Sequence, residues 1–258
     1  MADVLPSSLE FERDGDIAVV YLSRTAKRNA LDDDTVRGID SLFATLPDDV
    51  RAVVLTARGE HFSAGIDLSS LVQSTPLASV QRSQLWYDAF ARIQYGRVPV
   101  VAALHGAVIG GGFELAAATH IRVADATAYY ALPEAQRGIF VGGGGSVRIS
   151  RLIGAHRMMD LMLTGRIYSA EEGHAIGVSQ YLVEAGAAER RARALAKHIA
   201  TIPPLSVYGI LQAIPRNAEA DPAAGFVLEG LMAAMAAGDP AAQERIAAFL
   251  AGRGAKVK

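Results

Sequence analysis

The sequence predicts an α/β fold of recurring strand–strand–helix units, followed by a purely helical C-terminal region. Three observations carry this. Short apolar runs of β type, DIAVVYLS (16–23), RAVVLT (51–56) and VPVV (98–101), alternate with longer amphipathic stretches. Glycine-bearing turns separate the strands from the helices. From Pro203 onward the strand pattern disappears, leaving two helices at about 226–237 and 240–251, rich in Ala and Met, before a basic tail. The chain therefore divides into a core over 1–200 and a helical region over 201–258.

In chain order, the first strand follows the turn pair Asp14-Gly15. The polar segment RTAKRNALDDD leads to a helix from Asp33 to about Leu46, whose apolar face is Val36, Ile39, Leu42 and Phe43. Pro47-Asp48-Asp49 closes it, and a second strand runs into GEHFSAGIDLSSL. A loop over 69–76 precedes an amphipathic helix at 79–94. The stretch VPVVAALHGAVIGGGFELAAA (98–118) then passes from strand through three successive glycines into a buried helix. Short strands follow at 120–124 and 127–131, then LPEAQRGIF and four glycines, Gly142 to Gly145. Helices are expected at 151–163, 170–176 and 188–202, with a last strand at 178–183.

The 258 residues are half apolar and carry a formal net charge of −2, so there is no electrostatic footprint for nucleic acid or an anionic membrane. The absence of cysteine excludes disulfides and thiolate chemistry. The acidic N-terminus is unlike a secretory signal, and no apolar run reaches the ~20 residues that cross a bilayer. A cytoplasmic protein is the expectation.

Chemistry concentrates at three places. Glycines are costly to order, so Gly110-Gly111-Gly112 at a helix start implies close approach by a ligand or a second backbone, with unpaired N–H groups available to an oxygen. Glu114 follows among Phe113, Leu115 and alanines, and a lone acid in apolar company is expensive to bury. The turn Ser63-Ala64-Gly65-Ile66-Asp67 ends one strand, and Pro133 places Glu134 near a helix start. Each element alone is weak, but their order and spacing together are specific.

That order resembles the crotonase (enoyl-CoA hydratase/isomerase) superfamily from about Phe11 to the C-terminus. HFSAGIDL is similar to its first oxyanion turn and HGAVIGGGFELAAA to its second oxyanion loop and helix. ALPEAQRGIFVGGGGSVRISRLIG is similar to its second catalytic segment, and MLTGRIYSAEEGHAIGVSQYLV to the region that follows. The resemblance implies a spiral of ββα units with C-terminal helices that form a homotrimer or a homohexamer. It implies an acyl-CoA substrate and no metal or redox cofactor, coenzyme A being part of the substrate. The N–H groups of Ile66 and Gly111 would form the oxyanion hole, and Glu114 and Glu134 would be the acid/base pair of a hydratase. Coenzyme A would contact Lys27, Arg28, Ala30, Ala64, Asp67 and Leu68. Trp86, Tyr87, Phe90 and Phe140 would wall the acyl pocket, drawn from the segment 71–90. Leu132 stands where the family often has glutamine, which would make that wall more apolar. Arg245 stands where it often has glycine, and Phe249 and Arg253 are the C-terminal candidates for a neighbouring subunit's coenzyme A. Residues 127–154 resemble the methylthioacryloyl-CoA hydratases of dimethylsulfoniopropionate breakdown more than an average fatty-acid hydratase.

Other readings fit less well. An isomerase or acyl-CoA hydrolase of the same fold is the alternative enzyme, although isomerases often lack the first acid. The glycines do not form G-x-G-x-x-G, no G-x-S-x-G elbow occurs, and the six histidines show no ligand spacing. A non-catalytic RNA-binding or scaffold relative is disfavoured by both acids and the near-neutral charge.

Overall fold

The structure is a computed structural model that describes residues 5–71 and 75–253. Its larger sheet has the order β1-β2-β3-β4-β6-β9. β1 (Leu9–Asp14) is an antiparallel edge strand, and β2 (Ile17–Leu22), β3 (Ala52–Ala57), β4 (Val100–Leu104), β6 (Ile121–Asp125) and β9 (Tyr181–Val183) run parallel. β2, β3 and β4 are buried throughout, as parallel strands covered on both faces must be. One face (Val20, Leu22, Val53, Leu55, Ala102) joins the main core with α1 (Asp33–Ala44), α2 (Pro76–Gln94) and α3 (Gly111–Ala117). The other (Ile17, Val19, Val54, Val101, Val123) is covered by α7 (Ala188–Ala200) through Ala192 and Ala196. Small residues at that i, i+4 spacing let the helix lie close on the sheet.

A second, smaller layer explains the spiral. β5 (Ala107–Ile109) pairs in parallel with β7 (Tyr129–Ala131), and β7 pairs with β8 (Tyr168–Ser169). Single parallel bridges extend the layer, Leu31 to Ile66 and Ser63 to Val108. Each turn of chain thus runs from a large-sheet strand through a short second-layer segment into a helix. This is the expected α/β spiral.

Several boundaries differ from expectation. β1 was not foreseen, because LEFERD alternates over only one half-buried face. The helix expected at 151–163 is two, α4 (Gly145–Ile153) and α5 (Ala155–Thr164), parted at Gly154 with φ +85°. The loop expected at 69–76 begins as a 3₁₀ turn (Leu68–Leu71), and α2 already starts at Pro76. Residues 72–74, part of the segment expected to shape the acyl pocket, lie outside the described residues. So does most of the basic tail, 254–258. Glu134 precedes only a three-residue 3₁₀ turn (Ala135–Arg137), which is no helix start. α6 (Ala170–Ala175) is started by a capping box between Ser169 and Glu172.

The chain forms two compact units, residues 1–200 and 201–258. In the second, α8 (Pro204–Asn217), α9 (Pro222–Ala237) and α10 (Pro240–Leu250) are all helical. α8 was missed because its prolines read as loop. Pro204 sits in the first turn, where a missing N–H costs nothing, and Pro215 near the end of the helix.

Candidate active site

Three second-layer segments converge beside α3. Leu31 donates its N–H to the Gly65 carbonyl (2.7 Å) and accepts from Asp67 (2.8 Å). Ser63 exchanges bonds with Ala107 (2.9 Å) and Ile109 (3.0 Å). Gly65 has φ +92°, and a Cβ there would lie 2.8 Å from the Ile109 carbonyl and 3.3 Å from the Gly111 nitrogen. Only glycine permits this approach, and it brings the N–H groups of Ile66 and Gly111 to one place. Neither has a protein acceptor among the described residues. Gly110, with φ +52°, turns the chain into α3, and a Cβ on it would collide with Glu134 Oε1.

Glu114 is 3% exposed. Its Oε1 accepts the N–H groups of Gly143 (2.8 Å) and Gly145 (2.7 Å), so the four-glycine run wraps this carboxylate. A Cβ on Gly145 would lie 2.8 Å from Glu114 Cγ, which is why that position carries no side chain. Burial pushes the Glu114 carboxyl up, and the glycine N–H groups oppose the shift by holding the charged form. Glu134 is 6% exposed and lacks the pair of glycine donors: its own backbone N–H favours the charged form, but its buried Oε2 has no hydrogen-bond partner. Burial first, and the neighbouring Glu114 charge second, push it up to about 7. Two carboxyls in one site are thus held in unlike protonation environments.

Both acids line a cavity of about 280 Å³ together with Ile66 and Gly111. Trp86 and Phe140 are among its walls, Phe140 being 68% exposed. Phe90 is not among them: it lies behind Trp86, edge-on with ring centroids 5.6 Å apart. Tyr87, exposed on α2, is not among the lining residues either. Leu132 belongs to the main core and walls nothing here. Residues that the sequence reading did not name as walls also line it: Ser79, Arg82 and Ser83 on the Trp86 face of α2, and Ile139, Val141, Gly142 and Gly143 around Phe140. The i, i+3, i+4, i+7 spacing of 79, 82, 83 and 86 was the available signal.

The segment Lys27–Leu31 runs beside the same turn, with Ala64 donating to the Arg28 carbonyl (2.9 Å). Arg28 and Asn29 are left-handed (φ +50° and +55°), and the Asn29 amide donates to the carbonyls of Arg58 (2.9 Å) and His61 (2.7 Å). Lys27, Arg28 and Leu68 are exposed, and Ala30 and Ala64 half-buried. Asp67 is buried with both oxygens bonded, Oδ2 to Arg24 (2.7 Å) and Oδ1 to Ser69, which hold its carboxyl down at about 2. Its side chain therefore fixes the turn.

A profile of the enoyl-CoA hydratase/isomerase family matches residues 12–254. The chain belongs to this family. It is 34% identical over 213 residues to the short-chain-enoyl-CoA hydratase of Clostridium acetobutylicum, covering 81% of this chain and 82% of the relative. A crystal structure from Rhodopseudomonas palustris, of a protein assigned as an enoyl-CoA hydratase, is 51% identical with a TM-score of 0.93 over 98% of both chains. An enoyl-CoA hydratase from Mycobacterium smegmatis superposes with a TM-score of 0.91 at 28% identity, over 96% of this chain and 98% of that one. The protein is an enzyme with the crotonase fold. Among the described residues no three His, Asp or Glu side chains gather as metal ligands, and no helix is long and apolar enough to cross a membrane.

Proposed function

We propose that this enzyme adds water across the α,β double bond of a short-chain enoyl-CoA thioester. The observation that carries the reading is the pair of buried carboxyls in one cavity, Glu114 held by two N–H groups and Glu134 protonatable near neutrality. Glu114 orients a water and takes its proton as the oxygen bonds to the β-carbon. Charge moves through the α-carbon to the thioester oxygen, which the N–H groups of Ile66 and Gly111 receive. Glu134 then gives its proton to the α-carbon, and dehydration reverses each step. Preorganised donors of this kind contribute about 3–4 kcal/mol each to the charged state. The chemistry calls for no metal or redox cofactor.

Coenzyme A lies along the Lys27–Ala30 segment and the backbone of 64–68, with the exposed basic side chains of Lys27 and Arg28 toward its phosphates. The exposed apolar residues Phe226, Leu231 and Met235 of α9 and Ile246 and Phe249 of α10 support assembly into trimers through the helical region, singly or paired as hexamers. The test is loss of 2-enoyl thioester absorbance with crotonyl-CoA, comparing wild type with Glu114→Gln and Glu134→Gln. Activity that falls by orders of magnitude in both variants supports the reading, and methylthioacryloyl-CoA is the next substrate, on the resemblance of residues 127–154. An inert wild type that releases free thiol from an acyl-CoA replaces hydration by thioester hydrolysis.

A further inference from the structure

Glu114 is held by a glycine loop that cannot hold itself. Four successive glycines have high conformational freedom, yet two of their N–H groups must converge on one oxygen at 2.7 and 2.8 Å. Something outside the loop has to fix the peptide planes. The N–H groups of Val147 (3.2 Å) and Arg148 (3.0 Å) hold the Gly144 carbonyl, which fixes the peptide carrying the Gly145 N–H, and the Gly143 carbonyl is tied from outside the loop by a chain of hydrogen bonds.

It begins in the sheet. The N–H of Val100, at the start of β4, donates to Nδ1 of His120 (2.9 Å). That leaves the ring proton on Nε2, which donates to the carbonyl of Gln94 at the end of α2 (3.1 Å). Burial pushes the His120 imidazole down to about 4, so it stays neutral and keeps this tautomer. The Gln94 Oε1 accepts from Nε of Arg148 (2.7 Å), and Arg148 Nη1 donates to the Gly143 carbonyl (2.8 Å). The same Gly143 presents its N–H to Glu114. Gly144, with φ +94°, leaves the room that the guanidinium occupies: a Cβ there would collide with Arg148 Nη1. An arginine suits the place because its planar fork carries two donors in fixed geometry, whereas a lysine is a point charge on a flexible stem.

We propose that Arg148 is a positioning residue for Glu114: by tying the Gln94 side chain to the Gly143 carbonyl, it fixes the glycine loop whose N–H groups orient and charge that carboxylate. The proposal deepens the hydratase reading and rests on it for the role of Glu114. The charged groups beside Glu114 are Glu134, immediately before the 3₁₀ turn, and Arg148 from α4; Arg82 of α2 lines the same cavity with its guanidinium paired to Asp33 (3.2 Å). Those around Arg148 are Tyr87, Tyr95 and Arg151 besides Glu114. Removing the guanidinium frees the loop and takes away a nearby positive charge, and both changes disfavour the ionised carboxylate.

The test combines kinetics with an infrared titration of the Glu114 carboxylate, differenced against Glu114→Gln, in wild type, Arg148→Met, Arg148→Lys and Gln94→Leu. In Arg148→Met, kcat with crotonyl-CoA should fall about tenfold or more with KM little changed, and the Glu114 midpoint should rise by about one pH unit. Arg148→Lys should recover part of both effects, and Gln94→Leu should move the midpoint the same way by less. A folded Arg148→Met whose midpoint stays at the wild-type value overturns the proposal, as does a loss seen only in KM. If Arg148→Met does not fold, an unshifted Gln94→Leu overturns it equally. If wild type does not hydrate crotonyl-CoA, the hydratase reading fails, and the infrared midpoints alone still decide whether Arg148 sets Glu114.

Discussion

Replacing Glu134 by glutamine should stabilise the protein at alkaline pH while removing its activity. The folded carboxyl sits at about 7 against an ordinary value of 4.5, chiefly because burial disfavours its charge. Below pH 4.5 it is protonated in both folded and unfolded chains, and burial has no ionic cost. As pH rises from there, the unfolded chain ionises while the folded one resists, so stability declines until the folded group also ionises near pH 7. A gap of this size amounts to about 3 kcal/mol, fully lost above neutrality. Glutamine fills nearly the same volume and does not titrate. Urea unfolding of both proteins, at equal concentration and at about pH 5 and about pH 8.5, reads the difference. The variant should gain up to about 3 kcal/mol on wild type at the higher pH and little at the lower one. Its hydration rate should fall by orders of magnitude, since an amide has no proton to give the α-carbon. In wild type kcat/KM should be bell-shaped with its alkaline limb near 7. The limb should be the same for hydration and dehydration, because the reaction takes up no net proton and the pair of acids carries one. Equal stabilities of the two proteins at both pH values would refute the reasoning, as would an active glutamine variant.

Two further substitutions probe other parts of the site. In Gly111→Ala the new methyl would lie 2.7 Å from Trp86 Cζ3 and 3.4 Å from the Ile66 nitrogen, in the space a thioester oxygen needs. Displacing that oxygen from even one donor costs about a hundred- to a thousandfold in kcat with crotonyl-CoA, and a variant that keeps half the wild-type rate removes the oxyanion assignment. His120 is depressed from 6.5 to about 4, so its contribution to stability is present above pH 6.5 and is lost as pH falls toward 4, by about 3 kcal/mol. Thermal melts across that window should slope less steeply for His120→Gln than for wild type, and parallel slopes would sink this account of the acid sensitivity.

The parts of the fold legible in the sequence were those where local pattern and tertiary role agree. β2, β3 and β4 are continuous apolar runs because both faces are covered, and α1 shows its buried face as Val36, Ile39, Leu42 and Phe43. What misled was local pattern without its context. Proline before Glu134 suggested a helix start, but Gly138 in the left-handed region ends the turn after one 3₁₀ cycle. Phe90 looked like a pocket wall, and a helical position facing the core is indistinguishable from one facing a cavity until the opposite wall is known. Leu132 erred in the same way.

The sequence by itself determined the α/β alternation, the helical C-terminal region and the residues whose type admits no substitute. The glycine run at 110–112 and an acid such as Glu114 in apolar company are conspicuous in any context, whereas the positive φ that Gly65 and Gly110 adopt is visible only in the structure. Only the tertiary structure decided how those residues differ from one another. Glu114 and Glu134 are the same side chain in sequence. They part because two glycine N–H groups, in a loop tied by the start of α4 and through Arg148, Gln94 and His120, reach one carboxylate while the other keeps a buried oxygen with no partner. Proton affinity depends on the donors and charges within a few ångströms, and here segments far apart in the chain supply them.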